Sequence, residues 1–142
     1  MPDARAQIGA LIEARAASIR TKNADAVMAQ IAPDVLSFDV LVPLANRGAE
    51  AVRGRLMRWF QSYDGPIGCE LRDLAIRADG DVAFSHALIR FSGTLTSGAK
   101  VDMWVRSTMA WERRNARWLI VHEHTSDPMD AETGKTRIDL AP

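Results

Sequence analysis

Cysteine, net charge and long apolar runs are scarce in this sequence, and each shortage excludes a class of protein. The single cysteine, Cys69, excludes an internal disulfide framework and a multi-cysteine metal cluster, and it favours a cytoplasmic location. Eighteen Lys and Arg residues balance eighteen Asp and Glu residues, so bulk positive charge does not draw the chain to nucleic acid. No apolar run approaches the roughly 20 residues of a membrane span, and no hydrophobic signal region follows Met1. We therefore expect a soluble chain with neither nucleic acid nor membrane as a partner.

Sequence motifs that hold phosphates or present a nucleophilic serine are absent as well. There is no glycine-rich phosphate loop and no Gly-x-Ser-x-Gly elbow, so we expect no cofactor. The chain does have 142 residues, of which 47% are hydrophobic. That is enough for one domain with a core and an internal pocket.

The first half of the chain has the apolar spacing of helices. Residues 4–20 carry apolar side chains three, four and seven positions apart, which predicts an amphipathic helix. A second, short helix is expected over residues 24–31 and a third over residues 50–63. Between them, residues 35–42 are rich in β-branched and aromatic residues and are predicted to form a strand.

In the second half the apolar period changes to two. Four strands separated by short turns are predicted over residues 69–78, 81–95, 100–113 and 117–126. Short turns imply an antiparallel meander. The whole pattern is α+β, and a strongly curved sheet closing on three helices makes a cone with a pocket inside. We expect one domain over residues 1–128 and a C-terminal tail, 129–142, that runs over the surface or crosses to a partner.

Four parts of the sequence carry a family resemblance: residues 23–27 with 32–35, 38–39, 47–48 and 118–126. They resemble the nuclear-transport-factor-2-like superfamily, and within it the SnoaL-like and ketosteroid-isomerase-like branch. The resemblance implies a cone of three N-terminal helices on a mixed, mostly antiparallel sheet, which commonly forms a homodimer through its outer face. The last part is also similar to the association domain of the calcium/calmodulin-dependent kinase, a non-catalytic oligomerisation module. The fold alone does not fix an activity.

The comparison with the isomerases gives one match and two differences. The general-base aspartate of those enzymes falls on Asp39. The tyrosine of their oxyanion hole falls on Arg15, and the protonated aspartic acid beside it falls on Ser107. Because those two groups stabilise the developing enolate, steroid isomerisation by the known mechanism is disfavoured.

Strand alternation and the resemblance together supply the remaining site residues. In the association-domain similarity Arg90 matches a pocket arginine that binds carboxylates, and His86 then points to the same interior. Asp39 is the expected acid/base group, His86 assists it, and Arg90 and Glu123 position the substrate. Other expected pocket residues are Leu56, Trp59, Ser107 and Thr125. As an alternative, Arg90 forms an internal ion pair with Glu123 or Asp39 and needs no substrate.

Four further residues are expected on the outer face of the sheet: Trp104, Arg106, His122 and His124. A β-bulge that shifts the alternation by one would bring them into the pocket instead. His122 and His124 are two positions apart on a strand, so their side chains point the same way, as two ligands of one metal ion can. A third ligand at a recognisable spacing is missing, so no metal is expected.

These observations lead to two hypotheses of different class. The first is a homodimeric pocket protein that binds a small, partly apolar molecule bearing a carbonyl or carboxylate, with isomerisation, dehydration or cyclisation by acid/base chemistry. The second is a non-catalytic ligand-binding or oligomerisation module of the same fold. An enclosed cavity with Asp39 exposed inside it favours the enzyme, and a cavity filled by side chains or locked by an Asp39–Arg90 pair favours the module.

Overall fold

The computed structural model describes residues 2–142 and begins with the predicted helices. They are α1, Ala4–Arg20, α2, Ala24–Met28, and α3, Ala49–Gln61. Asp3 and Asn23 cap the first two helices. The side-chain oxygen of each accepts a hydrogen bond from the backbone amide three residues later, that of Ala6 and that of Ala26. Helix α2 is three residues shorter than predicted because the next strand already begins at Ile31.

Six strands form one open, mixed sheet on which the helices pack. They are β1 Ile31–Phe38, β2 Asn46–Arg47, β3 Tyr63–Asp79, β4 Val82–Leu95, β5 Lys100–Arg114 and β6 Arg117–Ser126. Their order is β2-β1-β6-β5-β4-β3. Among the strand pairs of the described residues, only β1–β6 is parallel. The α+β cone predicted from the sequence is therefore confirmed, although the short edge strand β2 was not foreseen.

The core lies between α1, α3 and the inner face of the sheet. Helix α1 buries Ile8, Ile12, Ala16 and Ile19, one side chain per turn. Trp111 on β5 is almost fully buried, and its indole Nε1 donates to Ser85 Oγ on β4 across 3.0 Å. This bond satisfies both buried polar groups, as a packed core requires.

A bulge interrupts the pairing of β5 with β6. Trp111 lies opposite Ile120 and Ala110 opposite His122, which leaves Val121 as the extra residue. Ile120 is fully buried on the inner side of the bulge. Glu123, beyond it, also faces inward and contacts α1. Because of the extra residue, Ile120 and Glu123 both face inward although three positions separate them.

The C-terminal tail turns back over the outer face of the sheet. A bridge joins Met129 to Thr136, and the Arg137 amide donates to the Pro128 carbonyl at 2.8 Å. Leu140 then lies beside Trp104 of β5 along a shallow groove. Within residues 2–142, no helix is both long and apolar enough to cross a membrane.

Candidate functional site

A cavity of about 200 Å³ lies between α1, α3 and the inner face of the sheet. Its walls are mostly apolar: Ile19, Leu56, Trp59, Tyr63, Phe91, Met103 and Val105. Polar side chains enter it from four parts of the chain: Arg15 from α1, Arg55 from α3, Glu123 and Thr125 from β6, and Ser37 and Asp39 from the end of β1 and the residue after it. An apolar cavity with a few convergent polar groups is the usual form of a small-molecule site.

Aromatic rings line one side of this cavity. The ring of Trp59 meets Phe91 edge to face, with centroids 5.0 Å apart, and meets Tyr63 in the same way at 6.0 Å. Such T-shaped contacts are the favourable geometry for aromatic pairs. Burial raises the pKa of Tyr63 above its ordinary value, so its hydroxyl stays protonated at neutral pH.

Asp39 lies in the wall of the cavity with a side chain that is only 6% exposed. Its Oδ2 accepts a hydrogen bond from Arg55 Nε, and its Oδ1 accepts one from the Val40 amide at 2.8 Å. A carboxylate has about four lone-pair sites on its two oxygens. Each oxygen of Asp39 therefore keeps acceptor capacity for a bound molecule.

A second ion pair faces the cavity from the other side. Arg15 Nη2 donates to Glu123 Oε2 at 3.0 Å, and Ser37 Oγ donates to Glu123 Oε1 at 3.1 Å. The side chains of Arg15 and Glu123 are both largely buried. Arg15 Nη1, however, is buried without any hydrogen-bond partner. A buried donor left unpaired is costly, and because this atom has almost no accessible surface it does not border the cavity.

The predicted inward placement of His86 and Arg90 is wrong. On β4 the buried side chains are Ser85, Ala87 and Ile89, so the neighbouring residues face outward. His86 is exposed and stacks on the ring of Phe84. Neither His86 nor Arg90 reaches the cavity.

Arg90 is instead held on the outer surface by acidic neighbours. Its guanidinium donates two hydrogen bonds to Asp102, at 2.7 and 2.8 Å, and lies 3.5 Å from Glu70. The alternative in which Arg90 pairs with Glu123 or Asp39 is therefore also wrong. Glu123 pairs with Arg15 instead, and Asp39 pairs with Arg55.

The other predicted pocket residues lie inside the cone. Leu56, Trp59, Glu123 and Thr125 line the cavity. Ser107 is buried too, but it lies deeper, beside a small void lined by Ile12 and Met109. It does not contact the main cavity.

The four residues expected on the outer face are there. Arg72 stacks over Trp104, and Arg106 Nε donates to Ser126 Oγ at 3.1 Å. The rings of His122 and His124 both pack against Phe38. Because the Leu36 carbonyl can only accept, His122 Nδ1 donates to it, at 2.7 Å. In the described part of the chain no group of three His, Cys, Asp or Glu residues is arranged to hold a metal ion.

Sequence reasoning missed Arg55 and Ser37 as site residues and gave Arg15 only as a mismatch to a tyrosine. A signal was present in the two helices. Arg15 stands three positions after Ile12 and four before Ile19, inside the apolar stripe of α1. Arg55 stands in the same way four positions before Trp59 on α3. A charged residue within a buried stripe needs a partner.

Comparison with known proteins agrees with this fold and defines its family. The family model of the SnoaL-like domain matches residues 8–130, and the chain therefore belongs to the SnoaL-like domain family. No curated protein matches the sequence at a significant level.

Solved structures show the same architecture. A nuclear-transport-factor-2-like protein of unknown function from Pseudomonas putida is 30% identical, with a TM-score of 0.90 over 98% of this chain and 96% of that chain. A protein from Xanthomonas campestris, assigned as a calcium/calmodulin-dependent kinase II association domain, is 24% identical, with a TM-score of 0.75 over 89% and 88%. A ketosteroid isomerase-like protein from Erwinia carotovora is 16% identical, with a TM-score of 0.75 over 89% and 97%. The last two support the fold alone.

Proposed function

We propose that the cavity binds a small, partly apolar molecule bearing a carbonyl or carboxylate group, and that Asp39 moves protons on it. The observation that carries this proposal is the position of Asp39, a carboxylate in the wall of an apolar cavity with acceptor capacity on both oxygens. A positioned carboxylate of this kind is a general base. Isomerisation, dehydration and cyclisation all begin with such a proton transfer.

The chemistry follows from the two ion pairs. Asp39 takes a proton from the carbon next to the carbonyl, and the electron pair of that C–H bond moves into the carbonyl to give an enolate. Donors of the Arg15 guanidinium stabilise the charge on the enolate oxygen. If the bound molecule carries a C=C bond between its β- and γ-carbons, this enolate is a dienolate, and returning the proton from Asp39 to the γ-carbon moves the double bond into conjugation and restores the carboxylate.

One observation favours the second class, a binding module without turnover. Asp39 with Arg55, and Glu123 with Arg15, already pair every charged side chain of the cavity wall. Internal ion pairs of this kind need no substrate. The module and the enzyme differ in one respect: the module binds ligands through the same walls but does not need the charge of Asp39.

A screen on matched variants separates the two. The wild type, Asp39→Asn and the surface control Asp102→Asn are screened by thermal shift and turnover against keto acids, enones and polyketide-like aromatics. We expect compounds that stabilise all three proteins but are converted only by the wild type and Asp102→Asn. Compounds whose binding and turnover are unaffected by Asp39→Asn would contradict the catalytic role.

The assembly and location of the chain belong to the same proposal. Val82 and Phe84 on the outer face of β4 are large apolar side chains about half exposed, which supports a homodimer formed through this face. The single cysteine supports a cytoplasmic location. Light scattering tests the dimer, and a monomer mass that does not change with concentration would contradict it.

A further inference from the structure

We infer that the loop over residues 40–45, at the mouth of the cavity, inserts into the surface of a lipid bilayer and prefers anionic lipids. This contact goes beyond the proposed function, and it can be measured without any ligand for the cavity. It needs no membrane-spanning run, so it revises the expectation that a membrane is not a partner. Three properties carry the inference: the apolar exposure of the loop, its size, and the arginines beside it.

The loop is a run of six apolar residues and carries very exposed side chains. Leu41, Val42 and Leu44 are 68%, 94% and 96% exposed, more than any other large apolar side chain in residues 2–142. Single exposed apolar residues are common at protein surfaces, whereas a contiguous exposed group marks a contact with a protein or a membrane. The loop is therefore suited to an apolar partner.

A bilayer fits the size of this loop better than another protein does. A specific protein interface takes about 800 Å² and roughly 20–30 residues from each partner, and the apolar run is far shorter than that. A peripheral membrane contact enters only the boundary between headgroups and acyl chains, to a depth of about 5–10 Å. The loop has no regular secondary structure. Because irregular backbone cannot pass into the hydrocarbon core, its insertion stops at this boundary.

Two arginines beside the loop match the negative charge of anionic lipids. Arg47 follows the loop on β2, and Arg58 lies on α3 one turn after Arg55, which borders the cavity. Arg47 and Arg58 are exposed, and within residues 2–142 neither forms an ion pair with a carboxylate. Of the two acidic residues between positions 39 and 58, Asp39 is neutralised by Arg55, which leaves Glu50. The charge beside the loop is therefore positive, and basic side chains near an anionic surface favour binding.

Leu41 connects this loop to the cavity, because its side chain is exposed and also lines the cavity wall. When the loop lies in the lipid boundary, the mouth of the cavity faces the lipid. A partly apolar ligand concentrates in lipid for the same reason that it favours an apolar cavity. The contact therefore gives such a ligand a route into the cavity that avoids water.

Sedimentation with sucrose-loaded vesicles tests the contact. The vesicles are made of phosphatidylcholine alone, or of equal parts of phosphatidylcholine and phosphatidylglycerol. Four proteins are compared: the wild type, the loop variant Val42→Ser with Leu44→Ser, the charge variant Arg47→Gln with Arg58→Gln, and the control Met129→Ser with Ile138→Ser. The control removes two exposed apolar side chains of the C-terminal tail. Urea unfolding checks that all four keep the same free energy of unfolding.

We expect the wild type and the control to bind the mixed vesicles roughly fivefold or more tightly than phosphatidylcholine alone. The loop variant loses about tenfold or more on both kinds of vesicle, through the lost apolar contact. The charge variant binds both kinds equally. No binding of the wild type to either kind of vesicle, or an equal loss in the loop variant and the control, overturns the inference.

A fluorophore on the loop reports the insertion itself. Val42→Cys is labelled with nitrobenzoxadiazole, since Cys69 is buried and stays unlabelled. Its emission should shift to the blue on mixed vesicles and be quenched by lipids brominated near the headgroup. Vesicle binding without these changes overturns the inference. So does a loop variant that still binds vesicles but has a smaller mass in light scattering, because the loop is then a contact between copies.

The cavity itself should not be affected by the loop variant. Neither Val42 nor Leu44 borders the cavity, so binding of 1-tetralone, a bicyclic ketone of the proposed ligand class, should equal that of the wild type. Loss of this binding in the loop variant would assign both side chains to the ligand site and overturn the inference.

Discussion

Arg15 on the first helix donates a hydrogen bond to Glu123 on the last strand, and this contact joins the two ends of the domain across the cavity. The pair is largely buried, and Ser37 supplies a second hydrogen bond to the same carboxylate. It therefore serves the fold and the site together. Removing one partner leaves the other charge buried without compensation.

Glu123→Ala is expected to destabilise the protein by about 3 kcal/mol, because it leaves the Arg15 guanidinium uncompensated. Urea unfolding followed by tryptophan fluorescence measures this. The matched control is Asp102→Ala, which breaks the exposed pair with Arg90 and is expected to cost far less, because solvent screens that pair. Equal costs for the two variants would contradict the account of the buried pair.

Much of the fold follows from the sequence because its periods are clear. The helical stripe of α1 and the alternation of β5 each have one apolar and one polar face, and the structure buries the apolar face of β5, including Val105 and Met109. Asp39 is predicted through the family resemblance, because the general-base aspartate of the isomerases falls on it. The residues whose predicted placement is wrong, His86 and Arg90, lie on a strand whose sequence pattern does not distinguish its two faces.

Strand β4 is the main example. Its outward residues Val82, Phe84 and Leu88 are at least as apolar as its inward residues Ala83, Ala87 and Ile89. Alternation alone therefore cannot tell which set is buried. A tertiary contact decides which face of β4 is buried. The buried indole N–H of Trp111 needs an acceptor, and Ser85 supplies it from the inner face. That pairing places His86 outside.

Leu41 is expected to contribute to ligand binding although it lies in an exposed loop. Its side chain borders the cavity, whereas its neighbour Val42 is 94% exposed and does not border it. Leu41→Ser should weaken 1-tetralone binding several-fold, through loss of apolar contact of about 25 cal/mol per Å², with little change in unfolding free energy. Val42→Ser should change neither. An equal loss of affinity in both variants would contradict this assignment of the cavity mouth.

Gly93 is required by the position of Tyr63. Its φ is +153°, and an added Cβ would lie 2.9 Å from Tyr63 Cδ1. Gly93→Ala should destabilise the protein by about 1–3 kcal/mol through backbone strain, and it should also reduce ligand affinity, because the Tyr63 ring must move.

Gly80→Ala is the control for backbone strain without a clash, since its φ is +59° and no atom lies within 4 Å of the added Cβ. It should lower stability by about 1–2 kcal/mol and leave ligand affinity unchanged. Unaltered ligand binding in Gly93→Ala would contradict the role given to the Tyr63 ring.

Asp127 should make stability depend on pH. Burial raises the pKa of its carboxyl in the folded chain, and its Oδ1 has no hydrogen-bond partner. The folded state therefore keeps this proton to higher pH than the unfolded state. The contribution to stability is complete below the unfolded pKa of about 3.9 and is lost as the pH rises through the higher folded pKa.

The variant Asp127→Asn removes this titration. Its stability relative to the wild type should increase as the pH rises from about 4 and then become constant. Asp139→Asn is the control of opposite sign, because Arg137 lowers the pKa of Asp139. Unfolding curves across this pH range measure both. A difference between Asp127→Asn and the wild type that is independent of pH would contradict the burial of a charged carboxyl.

The central claim is that Asp39 removes a proton from a carbonyl compound bound in the cavity. Deuterium exchange at the carbon next to the carbonyl of 1-tetralone, followed by proton NMR in D₂O, tests it most directly. The wild type and Asp102→Asn should exchange that position faster than the solvent does, and Asp39→Asn should fall by about 100-fold or more, to near the solvent rate. Exchange by Asp39→Asn at the wild-type rate would contradict the claim.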